Sequence, residues 1–284
     1  MSSARGDELF KKAEGHAKAM FFKDYEKAHE YYTSAAAQYK LDKNYERAGE
    51  SYMRAGDAAM QGKNQFEATQ AYVESANAYK KCDVKKAGTM LQIAIQMNID
   101  QNKLGQAARL EKDFAEALEE EGQLRGAIDH YKNAYKFFFA EDQPQAASQC
   151  QIKMAKIHGE LDEFDLATKL YEAIGAAQCR GNLKHHAKEY FFRATLCQAT
   201  AIINDNRDEK TAEVREAYEN YQTIDPNLRN TRESEFLDKL LDSLAENNME
   251  MFDDAVNDLN DNRMLDDWKT HILLVIKRNF EDLT

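Results

Sequence analysis

Tyr32, Tyr52 and Tyr72 stand 20 residues apart, and each is followed three and four positions later by small residues, Ala35-Ala36, Ala55-Gly56 and Ser75-Ala76. Ahead of the first two stand Tyr25 and Ala28, then Tyr45 and Ala48. The spacing aromatic-x-x-Ala-x-x-x-Tyr-x-x-small-small traces one face of an α-helix. Small residues on that face let neighbouring helices approach closely, and the aromatic rings fill the gaps between them. A period of 20 holds a helix of about fifteen residues and a short turn, so two units make a pair of about forty, somewhat longer than a tetratricopeptide unit. One pair cannot bury both of its apolar faces, so pairs must stack into a superhelical array. The expected fold is all-α and tetratricopeptide-like. Only two prolines, Pro144 and Pro226, occur in 284 residues, as an all-helical chain requires.

The period extends along the chain. A first helix is expected over Asp7–Met20. The pattern blurs across Val84–Asn98 while remaining helical, then returns at Leu104, Ala107 and Leu118, at Leu124, Ala127, Tyr131, Ala134 and Phe138, at Ala147 and Met154, and at Phe164, Ala167, Tyr171 and Ile174. Turn residues separate the units at Asp42–Asn44, Gly62–Asn64, Gly122-Gln123, Glu141–Pro144 and Leu161–Glu163. After Cys179 the period is expected to fail, with a loop over Gly181–His185. Residues 1–180 therefore read as an array of antiparallel helical hairpins. Residues 181–284 read as a C-terminal helical bundle: Tyr190, Phe191 and Phe192 in succession suggest burial on more than one side, and Phe236, Leu237, Leu240, Leu241 and Leu244 form an amphipathic stripe. The bundle closes on Leu265–Thr284, which holds the only tryptophan, Trp268, the aliphatic run Ile272–Ile276, a break at Lys277-Arg278, and a free acidic tip at Glu281-Asp282-Leu283-Thr284. We read its helix as a lid on the open end of the array and its tip as an effector.

Charge is unevenly placed. The net charge is -12; from Asp205 onward 21 acids face 10 bases, whereas residues 1–204 carry 29 acids and 28 bases. The acidic C-terminal third argues against nucleic acid as a partner. It reads either as a partner-facing surface or as a solvated surface that only aids solubility. Met1–Ala19 is polar and carries Arg5, Lys11 and Lys12, so no secretory leader is expected there, and no apolar run approaches the roughly 18 residues of a membrane span. Cys82, Cys150, Cys179 and Cys197 are widely spaced without a CxxC pair, which fits small apolar groups in a reducing cytosol and a cytoplasmic location.

Signatures of catalysis fail individually. The stretch Gly56–Asn64 has one residue too many for a P-loop, ends in Asn64 where a hydroxyl is needed, and follows no strand. His185 and His186 point about 100° apart on a helix and do not share a metal. Glu119-Glu120-Glu121 sits at a helix end, where charge runs are ordinary, and no nucleophile elbow occurs. An enzyme, a metal and a cofactor are not expected. The pair Phe21-Phe22 is either exposed in a loop or packed on the next helix.

Four blocks, in order, carry a family resemblance: Ala78-Tyr79-Lys80-Lys81, Ala127-Ile128-Asp129-His130-Tyr131, Ala187–Ala194, and Leu265-Asp266-Asp267-Trp268 with Leu273-Leu274 and Glu281-Asp282-Leu283. On these the chain resembles the soluble NSF attachment proteins of the α/β type. The resemblance implies an adaptor without a catalytic site. Such an adaptor lies along assembled SNARE four-helix bundles, recruits the hexameric AAA ATPase N-ethylmaleimide-sensitive factor, and helps it pull the bundle apart. Leu283 matches the penultimate leucine that stimulates the ATPase, and Glu281 and Asp282 would share that contact. Lys103, Arg109, Lys153, Lys184, Lys188 and Arg232 match bases that grip the acidic SNARE bundle from a concave face. Gln149 stands where the family has a further lysine, a departure that would either weaken the grip or shift it to Lys153 and Lys156. The family's longer, glycine-containing membrane loop is reduced here to Met20-Phe21-Phe22-Lys23, so a weak peripheral membrane contact through Phe21 and Phe22 is the expectation. The competing class is a helical-repeat scaffold or co-chaperone binding peptide tails, for which the matched bases would be scattered rather than gathered on one surface.

Overall fold

The computed structural model describes residues 3–19, 23–180, 184–262 and 265–281. Among these residues the chain is all-α and tetratricopeptide-like, without a strand. The helices are α1 (Ser3–Lys18), α2 (Tyr25–Leu41), α3 (Tyr45–Gln61), α4 (Gln65–Tyr79), α5 (Val84–Asp100), α6 (Leu104–Glu120), α7 (Leu124–Ala140), α8 (Pro144–Glu160), α9 (Phe164–Arg180), α10 (Lys184–Ala199), α11 (Arg207–Ile224), α12 (Arg232–Glu246), α13 (Met249–Asp261) and α14 (Asp267–Glu281). Two compact units divide the chain inside α8, residues 1–147 and 148–284.

In the first unit the period has a backbone cause. Helices α2 and α3 each run 17 residues and end in three-residue turns whose middle residue is left-handed, Lys43 and Lys63. In each turn two N–H groups reach back to the helix end: Lys43 N–H to Lys40 O (3.0 Å) and Asn44 N–H to Tyr39 O (2.9 Å) in the first. This double bond is the Schellman closure, which satisfies carbonyls that a helix end otherwise orphans. The residue that completes the closure also starts the next helix: the side chains of Asn44 and Asn64 accept from Arg47 N–H and Glu67 N–H (3.2 Å each). Left-handed residues recur at Asn102, Gly122 and Asp142. From α2 onward in this unit, the connection that departs from the pattern is Lys80–Asp83, after the shorter α4. It cuts the interval between helix starts by one residue, so Leu91, not position 92, takes the tyrosine's place and is buried. That slip is why the pattern blurs after Val84.

Packing follows the spacing. Ala28, Tyr32, Ala35 and Ala36, and then Ala48, Tyr52 and Ala55, are buried. Gly56 lies beneath the Tyr72 ring, where an added methyl would sit 2.8 Å from a ring carbon, and Tyr72 donates its hydroxyl to Asp57 (2.9 Å).

The second unit keeps the period longer than expected. Helix α10 starts 20 residues after α9, and Ala187 and Phe191 repeat Ala167 and Tyr171, all buried. The failure expected after Cys179 is thus corrected; the run Tyr190-Phe191-Phe192 hides the register. Lys184 and His185 are helical rather than part of a loop, and residues 181–183 lie outside the described residues. Phe236, Leu237, Leu240, Leu241 and Leu244 are buried as the stripe on α12 predicts.

Helix α14 docks through Trp268, Ile272, Leu273 and Ile276. The Trp268 ring rests on Gly159 of α8 and donates its indole N–H to Lys156 O (3.1 Å). The helix continues past the end of the aliphatic run, through Lys277-Arg278. Lys277 pairs with Asp253 (2.7 Å) and Asn279 donates to Thr200 O (2.7 Å), so the last turns stay attached. Glu281 is accordingly the last helical residue rather than the start of the free tip.

Candidate partner-binding surfaces

In the first unit, Phe66, Gln70 and Val73 fall at i, i+4 and i+7 along α4 and so form one stripe. Both matched bases of α6 border that stripe. Lys103, the residue just before α6, holds its ammonium 5.7 Å from the Phe66 ring centre and donates to Gln101 (2.6 Å). Arg109 is exposed and lines a groove of about 430 Å3 with Gln70, Val73, Glu74, Asn98, Gln106 and Leu110. Asn98 is 2% exposed; its amide donates to Ala94 O (2.9 Å), while its carbonyl oxygen has no partner among the described residues. The groove can therefore offer a guanidinium, three side-chain amides, one carboxylate and an aliphatic wall to a helical partner. Its polar members carry no motif; only the stripe on α4 could have pointed to them.

In the second unit the bases differ in how much charge they leave for a partner. Lys188 donates to Glu233 (2.8 Å). Burial pushes the Glu233 carboxyl up, but the Lys188 bond and its backbone and Thr231 contacts outweigh it and hold it below the ordinary range. The charge of Lys188 is thus matched within the fold. Arg232, next to that glutamate, is exposed. On α8, Gln149, Lys153 and Lys156 fall at i, i+4 and i+7 on one stripe; Gln149 is exposed, Lys153 half-buried, and Lys156 pairs with Glu160 (3.2 Å). The Lys184 side chain lies outside what is described.

Beside α8 a cleft of about 430 Å3 is lined by Lys156, Tyr171, Glu189, Tyr190, Arg193, Asp266 and Trp268. Arg193 stacks on Trp268 (4.7 Å) and donates to Asp266 (2.7 Å) and Glu189 (2.9 Å), while Lys269 reaches Glu189 (3.1 Å). This network ties α14 to α10 and uses up its own charges. The block Leu265–Trp268, part of the resemblance, is therefore structural here.

The acidic character of the C-terminal third is displayed on α13, where Glu250, Asp254, Asp258 and Asp261 are exposed. Asp258 is partly matched by Lys239 (2.6 Å). Asp282 and Leu283, the side chain of Glu281, and Phe21 and Phe22 lie outside the described residues. No described helix is long and apolar enough to cross a membrane.

A family model described as soluble NSF attachment protein, SNAP, matches residues 4–281. The chain is 31% identical over 281 residues to the alpha-soluble NSF attachment protein of Vitis vinifera, covering 96% of this chain and 93% of that one. It is 33% identical over 258 residues to the beta-soluble NSF attachment protein of Bos taurus, covering 90% and 84%. It is 38% identical over 260 residues to the vesicular-fusion protein SEC17 of Coprinopsis cinerea, covering 91% and 88%.

Proposed function

Since the chain belongs to the soluble NSF attachment protein family, we propose that it is a non-enzymatic adaptor that binds assembled SNARE four-helix bundles and recruits an NSF-type hexameric ATPase to take them apart, in support of vesicle fusion and intracellular transport. The match of the family model over residues 4–281 carries the reading, because it spans both units rather than one shared repeat. In this reading the SNARE bundle, acidic along its length, lies against Arg109 and its groove in the first unit and against Lys153, Lys184 and Arg232 in the second. Lys188, already matched by Glu233, contributes mainly to holding α10 on α12. Lys103, stacked on Phe66, reaches the same α4 stripe from the edge of the first unit. Leu283 supplies the apolar contact that stimulates the ATPase, with Glu281 and Asp282 before it; an apolar side chain next to two acids fits a basic pocket with an apolar floor. The adaptor works at the membrane surface by weak peripheral contact.

The deciding experiment is disassembly of a purified, detergent-solubilised SNARE bundle by the ATPase, with and without this chain. Wild type is expected to support disassembly. Leu283→Ala is expected to retain binding to the bundle within about twofold and to lose roughly tenfold or more of the stimulated rate, the scale of a transition-state contact worth about 1.4 kcal/mol. Full stimulation by Leu283→Ala would remove that residue from the mechanism, and no disassembly with wild type would remove the adaptor reading.

A further inference from the structure

Lys188 on α10 and Glu233 on α12 form an ion pair (2.8 Å) in which the acid is the more buried partner: the lysine side chain is 33% exposed and the glutamate side chain 11%. Other pairs that join two helices run the opposite way. In Lys40–Glu74, Lys86–Glu46, Arg215–Asp242 and Lys239–Asp258 the acid is at least as exposed as the base. Glu233 is the second residue of α12, where the N–H groups of a helix start favour a negative charge. Burial raises its carboxyl, but the Lys188 bond and the contacts with its own N–H and Thr231 lower it further, so the pair is ionised at neutral pH. The neighbouring charges do not compete for it. On α10, His186 is exposed and Glu189 is taken by Arg193 (2.9 Å) and Lys269 (3.1 Å). Between α11 and α12, Asp225 is 2% exposed and accepts from Asn227 N–H (3.1 Å), while Arg229 is exposed. On α12, Arg232 and Glu235 are exposed on either side of Glu233 in sequence.

We propose that Glu233 is a built-in competitor for Lys188: it occupies the ammonium as a carboxylate of an acidic helical partner would, and so limits the affinity and selects among acidic partners. Two effects combine. The carboxylate cancels the charge that Lys188 shows to an approaching acid, and the hydrogen bond between them holds the ammonium on α12. A partner that captured Lys188 would leave Glu233 buried without its counter-charge, which is strongly unfavourable, so the internal pair holds against a single surface acid. A helix that is merely acidic therefore gains little at this point. Attraction falls to the exposed Arg232 and to the bases beyond it, and a partner must place its acids against those. Glu233 acts through Lys188 and is a positioning residue, not a contact. The inference rests on the reading of this surface as the grip on an acidic SNARE bundle, and adds to it the residue that keeps one of the matched bases out of use.

The test is equilibrium binding of the full chain to a purified soluble SNARE bundle, without membranes or ATPase, at about 50 and 200 mM monovalent salt. Glu233→Gln keeps the shape and a neutral acceptor for Lys188 but removes the charge. It is expected to tighten binding about three- to fivefold at low salt, the scale of one exposed charge pair, and the gain should shrink at high salt. A purely structural glutamate would lower stability without raising affinity. Glu235→Gln removes an exposed acid two residues away and should tighten binding by less than about twofold. Lys188→Met should cost at least about threefold more affinity in the Glu233→Gln chain than in wild type, because there the ammonium is free to bond the partner's acid. Glu233→Asp, whose carboxylate draws back by one methylene, should bind more tightly than wild type and less tightly than Glu233→Gln. It carries the comparison if Glu233→Gln does not stay folded, which helicity and thermal midpoint report. Affinity of Glu233→Gln at or below wild type, equal gains from Glu233→Gln and Glu235→Gln, or equal Lys188→Met losses in the two backgrounds would each overturn the inference and leave the adaptor reading standing. Absence of binding by wild type would overturn both.

Discussion

At several helix contacts a ring lies on a glycine. Trp268 on Gly159 is the most consequential case, because the indole also satisfies Lys156 O, meets the edge of Tyr171 (ring centres 5.5 Å apart) and carries the Arg193 guanidinium on its face. Trp268→Ala removes all four contacts from a buried site that cannot collapse around a rigid helix. It is expected to cost about 3–5 kcal/mol, read as a lowered urea midpoint, and a loss below about 1 kcal/mol would show that α14 does not depend on it. That Trp268 is structural is legible in the sequence from its place beside an aliphatic run. Its partners on α8, the Lys156 carbonyl 112 residues away and Gly159 beneath the ring, are not, because a lone glycine in a helical pattern does not announce what lies on it. A second residue escapes the pattern altogether. Glu111 occupies the position of the repeated tyrosine, 20 residues before Tyr131, and is buried against His130 (2.5 Å) with the Phe114 ring edge beside that imidazole. Periodicity marks the site as buried, but only the packing supplies the histidine that makes a carboxylate acceptable there.

Among the elements, α14 has an attachment that titrates. Asp266 precedes it, accepting from Lys269 N–H (2.8 Å) and from Arg193 (2.7 Å). Burial pushes the Asp266 carboxyl up, but the Lys269 hydrogen bond and the Arg193 and Lys269 charges hold it below its ordinary value. A carboxyl depressed in the folded state stabilises fully above its unfolded pKa, about 3.9, and loses that contribution as pH falls through the folded value. Wild type should therefore lose thermal stability more steeply below about pH 4 than Asp266→Asn, which cannot titrate. Parallel Tm-against-pH curves for the two would separate the Asp266 carboxylate from α14 attachment. Much about the other elements was readable beforehand. The 20-residue period implies helices and short turns, and the turn residues mark where they stop. The helices are longer than the roughly fifteen residues the period suggests, because α2 and α3 are followed by turns whose last residue is also the next cap, and so run 17 residues on a 20-residue period. The start of α14 was visible too, whereas its continuation past Lys277-Arg278 depends on Asp253 and Thr200, which sequence does not place nearby.

At the scale of the whole molecule, charge separates the proposed partners. Residues 1–204 are almost neutral and present selected bases; the remainder carries 21 acids against 10 bases. Recruitment of a basic ATPase domain through the acidic part should weaken as salt rises. A several-fold or greater loss of affinity is expected between about 50 and 200 mM monovalent salt, since the acids of α13 are exposed and mobile ions screen them. Equilibrium binding of the ATPase to the chain across that range measures it, and a flat response would assign the contact to apolar surface. By itself the sequence determined the all-α repeat, the asymmetry of charge, the amphipathic stripe of α12 and the family, because each is written in residue type and interval. Tertiary structure alone decided which bases remain available, with Lys188 cancelled by Glu233 and Arg109 left at a groove. It also decided that the repeat slips by one residue at Lys80–Asp83 and runs on through α10, and that Phe66 and Lys103 share an edge. The physical reason is common to all of these. A helix face is set by local spacing, but pairing, burial and exposure depend on what a distant helix brings opposite it.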